Sequence, residues 1–138
     1  MVLADTSVWI QHFRRGEPSL ARWLTAGQVL MHPFVLGELA CGSLKNRAEI
    51  LSDLQELPSA MLASTTEALR LVEDRRLWGR GLGWIDVHLL ASALLSDCGF
   101  WTLDKRLGHA AAALGLLNTT SSANVKRSGS SLFTSLPS

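Results

Sequence analysis

The chain has 138 residues, of which 47% are apolar and 18% charged, with a formal net charge of +1. This length predicts one domain whose core is large enough to fold without disulfides or structural metals. The near-zero charge excludes binding of nucleic acid or membranes through overall charge, so a nucleic-acid partner would need a local basic patch. Neither a leader-like N-terminus nor an apolar run long enough to span a bilayer is present, which predicts a cytoplasmic protein with no membrane partner.

Residue types that commonly bind zinc are scattered along the chain. Cys41 and Cys98 lie in apolar helical stretches, where we expect buried free thiols, and this usage fits a reducing compartment. The four histidines also lack ligand spacing: His12, His32, His88 and His109. A zinc site built from His and Cys is therefore not expected.

Short apolar runs alternate with helical patterns along residues 1–117. The predicted strands are 2–4, 28–31, 61–63, 100–102 and 116–117. The predicted helices are 6–15, 19–26, 33–41, 46–57, one after a capping box at 64–67, one that begins at Asp86, and 105–114. This alternation predicts an α/β fold of three layers, α/β/α, around a small parallel sheet of about four to five strands.

The composition changes at Asn118. Residues 118–138 are dominated by Ser, Thr and Asn and show no amphipathic period. We expect a folded domain over residues 1–117, followed by a Ser/Thr-rich tail that is disordered or not native to the fold.

Four acidic residues stand in apolar surroundings: Asp5, Glu38, Asp86 and Asp104. Asp5 and Asp104 each end a predicted strand, and the carboxyl ends of parallel strands are where α/β folds place ligand sites. Each acid also has a structural alternative, because aspartates suit helix N-caps and Glu38 could pair with an arginine. Taken together, and without matching basic residues placed to neutralise them, the four favour Mg²⁺ or Mn²⁺ over Zn²⁺.

These acids lie in four sequence blocks that resemble those of PIN-domain ribonucleases, and more narrowly of VapC-type toxins from type II toxin–antitoxin systems. The blocks are Asp5-Thr6-Ser7-Val8-Trp9-Ile10, Leu36-Gly37-Glu38-Leu39, Ile85-Asp86-Val87-His88-Leu89-Leu90-Ala91 and Thr102-Leu103-Asp104-Lys105-Arg106-Leu107. The resemblance covers residues 1–117 and implies a PIN-like nuclease domain with the four acids converging at the carboxyl edge of the sheet. It assigns catalysis and Mg²⁺ or Mn²⁺ binding to those acids, supported by Ser7 and, less directly, by Thr6 and Thr102.

The activity that this resemblance implies is metal-dependent endoribonuclease cleavage, in which a metal-activated water hydrolyses the RNA phosphodiester bond. It also implies a homodimer and a cognate VapB-type antitoxin as partners. We expect contacts with RNA phosphates from local basic residues. The best placed are Lys105 and Arg106, followed by Arg80, Arg14 and Arg15.

Two alternative functions remain open at this point. One is a PIN nuclease of RNA processing that is not a toxin, and the other is a non-catalytic module whose acidic pocket docks an arginine of a partner. A phosphatase of the haloacid-dehalogenase type is set aside, because its first motif has a second Asp where this chain has Ser7. Metal-dependent cleavage of RNA by the isolated chain would separate a nuclease from a binding module.

Overall fold

The computed structural model describes residues 1–117, and the predicted tail at 118–138 lies outside the described residues. The described strands are β1 (Val2–Ala4), β2 (Val29–Leu30) and β3 (Gly99–Trp101). The described helices are α1 (Thr6–Arg15), α2 (Pro18–Thr25), α3 (Pro33–Cys41), α4 (Arg47–Gln55), α5 (Thr65–Arg75), α6 (Trp84–Ser96) and α7 (Lys105–Ala113).

The three strands form one parallel sheet in the order β2-β1-β3. In the centre of this sheet, Leu3 pairs with Leu30 on one side and with Phe100 on the other. All three residues of β1 are 0% exposed. Because successive side chains of a strand point to opposite faces, helices must cover both faces of the sheet. The predicted α/β class is confirmed.

Single bridges extend the sheet at both edges, where the sequence predicts further strands at 61–63 and 116–117. Met31 pairs in parallel with Ser59, and Phe100 pairs with Leu117. On the first edge the pairing goes no further, because the next main-chain donor of the ladder would be residue 33, and Pro33 has no N–H. The Met61 amide donates instead to Ser96 Oγ at 2.9 Å. The described sheet therefore has three strands and two bridges where four to five strands are predicted.

Five of the described helices pack in two groups around the sheet. In one group α1 contacts β1 and α3, and α3 contacts α4, whereas in the other α5 contacts α6, which contacts β1 and β3. The longest of the described helices, α6, has 13 residues. Over residues 1–117 no helix combines the length and the apolar character that crossing a membrane requires.

Helix starts follow local capping chemistry, with one correction. Asp5 caps α1, Ser64 and Glu67 form the capping box of α5, and Asp104 caps α7. The predicted start of α6 at Asp86 is wrong, because the helix begins two residues earlier, at Trp84. Asp86 caps the helix from inside its first turn, where its Oδ2 accepts a hydrogen bond from the Gly83 amide at 2.8 Å.

The two cysteines differ in exposure. Both are free thiols, and Cys98 is buried as predicted. Cys41 is exposed, so its predicted burial is wrong. The buried positions of α3 are Val35 and Leu39. Cys41 follows Leu39 by two residues and therefore lies on another face of the helix.

Candidate active site

Asp5 lies at the carboxyl end of the central strand β1 and is only 7% exposed. Its Oδ1 accepts hydrogen bonds from Ser7 Oγ at 2.5 Å and from the Val8 amide at 3.3 Å, and its Oδ2 accepts one from Thr102 Oγ1 at 2.5 Å. Burial raises the pKa of Asp5 above its ordinary value of 3.8, although the hydrogen bonds from Ser7 and Thr102 oppose this rise. A cation next to this carboxylate would therefore stabilise its charged form.

Two hydroxyl groups join the end of β1 to the segment that follows β3. Thr102 Oγ1 donates to Asp5 and accepts from the Asp104 amide at 3.0 Å. Ser7 Oγ donates to Asp5 and accepts from the Leu103 amide at 3.0 Å. The structure thus brings Asp5 and the main chain of Asp104 together through the residues that the sequence assigns to a supporting role.

Glu38 reaches the same edge of the sheet from α3. Its carboxylate is exposed, and its Oε1 accepts a hydrogen bond from Thr6 Oγ1 at 2.7 Å. Thr6 is the first residue of α1 and directly follows Asp5. Glu38 is therefore hydrogen-bonded to the residue that directly follows Asp5, whose carboxylate is buried.

Asp86 lies half-buried in the first turn of α6, a helix that contacts both β1 and β3. In the part of the chain that the structure describes, no hydrogen bond joins Asp86 to Asp5, Glu38 or Asp104. The loop before α6 nonetheless meets the segment that carries Asp104. A Cβ atom added at Gly81 would lie 2.7 Å from Nη1 of Arg106.

Three of the four acids use one carboxylate oxygen for a structural hydrogen bond. Asp104 Oδ1 accepts from the Leu107 amide at 3.0 Å, Asp86 Oδ2 caps α6, and Glu38 Oε1 accepts from Thr6. Their other oxygens, Asp104 Oδ2, Asp86 Oδ1 and Glu38 Oε2, accept no hydrogen bond from residues 1–117. A capping role and a ligand role are therefore compatible in the same side chain.

The donor chemistry of these acids fits a hard divalent cation. None of the four carboxylates forms an ion pair with a lysine or arginine of residues 1–117. Oxygen donors without basic partners suit Mg²⁺ or Mn²⁺. With the side chains in their present positions, no three His, Cys, Asp or Glu residues among residues 1–117 lie close enough together to hold a metal ion.

Comparisons with known proteins give the family of the chain. The family model described as "PIN domain" matches residues 2–113. The chain belongs to the PIN-domain family. It is 46% identical over 117 residues to Ribonuclease VapC32 of Mycobacterium tuberculosis, in both strain CDC 1551 / Oshkosh and strain H37Rv, covering 84% of this chain and 94% of the relative. No solved structure matches the chain. The resemblance to VapC-type PIN ribonucleases is confirmed.

The PIN domain presents its candidate RNA-binding cations in two places. Arg80 is exposed in the loop before α6, and Lys105 and Arg106 are exposed in the first turn of α7. These three flank the elements that carry Asp86 and Asp104. Arg14 and Arg15 lie in the last turn of α1. That ten-residue helix separates them from its Asp5 cap by about 14 Å along the axis, so the structure does not bring them to Asp5.

A histidine that the sequence analysis leaves without a role caps the helix that carries Glu38. His32 is 2% exposed and caps α3, because its Nδ1 accepts a hydrogen bond from the Phe34 amide at 3.0 Å. Desolvation, together with nearby His88, lowers the pKa of His32 to about 4. Phe34 in turn packs edge-on against His88 with ring centroids 5.3 Å apart, which ties the start of α3 to α6. The proline after His32 marks this helix start in the sequence, but histidine is not a common cap.

Proposed function

We propose that this PIN domain is a Mg²⁺- or Mn²⁺-dependent endoribonuclease and the toxin of a VapBC-type toxin–antitoxin pair. The observation that carries the proposal is the buried carboxylate of Asp5 at the end of the central strand, held by the hydroxyls of Ser7 and Thr102. The 46% identity to Ribonuclease VapC32 supports RNA as the substrate.

Hydrolysis of a phosphodiester bond requires a water molecule to attack an anion. A bound divalent metal lowers the pKa of water and offsets the negative charge of the substrate. We assign its binding to Asp5, Glu38, Asp86 and Asp104. The oxygens of the last three that accept no hydrogen bond within residues 1–117 are the natural ligands.

The other residues of the site fix the acids in place. Ser7 and Thr102 each donate to one oxygen of Asp5, which prevents rotation of its carboxylate and favours its charged form. Thr6 fixes Glu38 in the same way. A ligand set held by such hydrogen bonds loses less entropy when it binds a cation.

RNA cleavage by the purified full-length chain tests the catalytic part of this proposal. We expect cleavage of total RNA in Mg²⁺ or Mn²⁺ and none in EDTA. Asp5→Asn should lower the cleavage rate on the order of 10³-fold or more, because the amide removes a negative charge from the metal-binding set. Asp74→Asn makes the same chemical change at an exposed position on α5 and should leave the rate unchanged. Cleavage by Asp5→Asn at the wild-type rate would overturn the assignment.

Growth and co-purification measurements test the toxin part. We expect induction of the wild-type chain to arrest growth of a bacterial host, and Asp5→Asn to leave growth unaffected. A small protein encoded beside this chain should co-purify with it and restore growth, and light scattering of the purified chain should give the mass of a homodimer. RNA cleavage without growth arrest would point instead to a PIN nuclease of RNA processing.

A further inference from the structure

The loop before α6 contacts the first turn of α7 through a glycine and an arginine. Gly81 has a φ of +78°, a conformation that favours glycine. A Cβ atom at this position would lie 2.7 Å from Nη1 and 2.9 Å from Cδ of Arg106. The side chain of Arg106 therefore lies directly against the main chain of Gly81, at a distance that other residue types do not permit.

This contact holds an exposed cation between two segments that carry acids. Arg106 follows Asp104 by two residues, and Gly81 precedes Asp86 by five. Within residues 1–117, Arg106 forms no ion pair with either acid or with any other. Its guanidinium thus lies against the main chain of Gly81 while its charge stays available for an anion from outside the chain.

We propose that Gly81 seats Arg106 so that its guanidinium binds a phosphate of the RNA at the acidic site. This inference rests on the proposed function and names a contact to its substrate. The planar fork of guanidinium donors matches the geometry of phosphate oxygens. Arg106 touches the substrate, whereas Gly81 is a positioning residue: its open main chain orders the arginine before RNA arrives, which reduces the entropy lost on binding.

The same loop offers a matched control for Gly81. Gly79 also has a positive φ, +72°, and a Cβ atom added there would meet nothing within 4 Å. Gly79→Ala and Gly81→Ala therefore strain the backbone alike, but only Gly81→Ala collides with Arg106. Because the atoms it meets belong to a flexible side chain, Gly81→Ala should displace the arginine and leave the fold intact.

Binding of a labelled single-stranded RNA of mixed sequence, measured by fluorescence anisotropy, tests the proposal. The variants are placed in an Asp5→Asn background so that the RNA stays uncut. We expect Arg106→Ala and Gly81→Ala each to raise Kd about tenfold, the loss of one charge-assisted contact. Gly79→Ala should bind like its parent. The double variant Gly81→Ala/Arg106→Ala should bind no more weakly than Arg106→Ala.

Salt dependence adds a readout that a purely structural role would not change. Loss of one phosphate contact to single-stranded RNA should reduce the slope of log Kd against log salt concentration by about 0.7 in Arg106→Ala and Gly81→Ala. Arg106→Lys keeps the charge and should retain the parental slope with intermediate affinity. In otherwise wild-type chains that cleave RNA, both alanine variants should raise KM about tenfold and change kcat little.

Several results would overturn the proposal that Gly81 positions Arg106. Equal RNA affinity of Gly81→Ala and Gly79→Ala would overturn the proposal, and so would weaker binding by the double variant than by Arg106→Ala. Equal Tm values for Gly79→Ala and Gly81→Ala would show that any difference in binding is local, and Arg106→Ala, at an exposed residue, provides a test should Gly81→Ala not fold. Metal-dependent cleavage that is unaffected by Arg106→Ala refutes this inference alone. Arg106-dependent binding without cleavage refutes only the proposed function.

Discussion

The β1–α1 corner and the β3–α7 corner share one local design but differ in burial. In each, a strand is followed by an aspartate whose carboxylate caps the next helix, through the Val8 amide at Asp5 and the Leu107 amide at Asp104. Asp5 follows the central strand and is 7% exposed, whereas Asp104 follows an edge strand and is exposed. The same sequence pattern therefore produces the cap in both corners, and the position of the strand in the sheet decides how far the charge is removed from water.

The two corners also depend on each other. Asp5 draws a hydrogen bond from Thr102, two residues before Asp104, and the Asp104 amide donates to that same threonine hydroxyl. Asp5 thus accepts hydrogen bonds from both corners, whereas Asp104 Oδ1 accepts one only from its own helix. We expect Asp5 to matter for the stability of the whole edge of the sheet and Asp104 chiefly for the start of α7.

The largest effect on stability is expected when each aspartate is truncated. Asp5→Ala leaves the Val8 amide and the hydroxyls of Ser7 and Thr102 without their acceptor, which should lower the free energy of unfolding by about 2–3 kcal/mol. Asp104→Ala loses one helix cap and should lower it by about 1 kcal/mol. Urea unfolding of the full chain in EDTA measures both values.

Asp104→Asn provides the control for this comparison, because asparagine also caps helices well and should preserve most of the stability. Equal losses for Asp5→Ala and Asp104→Ala would show that Asp5 stabilises the fold only as a helix cap. The two corners would then be equivalent despite their difference in burial.

Local chemistry made much of this architecture predictable. A strand that ends on an aspartate, and the capping box of Ser64 and Glu67, depend on residues within a few positions of each other, and both are present in the structure. The start of α6 was missed because Asp86 caps the helix from within its first turn. At the sheet edge, a single bridge between Met31 and Ser59 stands where a strand is predicted at 61–63, since Pro33 has no N–H with which to continue the ladder.

Local sequence patterns do not predict the contacts that organise the candidate site. Thr6 meets Glu38 across 32 positions of sequence, and Thr102 meets Asp5 across 97. The sequence supplies the residue types for these contacts, but only the fold determines which hydroxyl faces which carboxylate. The contact between Arg106 and Gly81 also depends on the fold, because a glycine in a loop sequence does not reveal which side chain will lie against it.

The smallest expected effect is on the pH dependence of stability, and it tests the difference in burial between the two corners. Burial holds the pKa of Asp5 above 3.8, so between the unfolded and folded pKa values the folded chain binds more protons than the unfolded chain. The free energy of unfolding contributed by Asp5 therefore falls as pH rises through this window and is constant above it. Asp5→Asn has no such fall, so its stability relative to wild type should increase as pH rises through the window.

Urea unfolding at a series of pH values from about 3 to about 7, in EDTA, measures this difference. Asp104→Asn makes the same chemical change at an exposed position and is measured alongside as the matched control. His32, whose pKa is lowered to about 4, titrates in all three proteins, so its contribution cancels when each variant is compared with wild type. A curve for Asp5→Asn that runs parallel to wild type would mean that burial does not hold the carboxyl of Asp5 out of its charged form. The distinction between the two corners would then rest on hydrogen bonding alone.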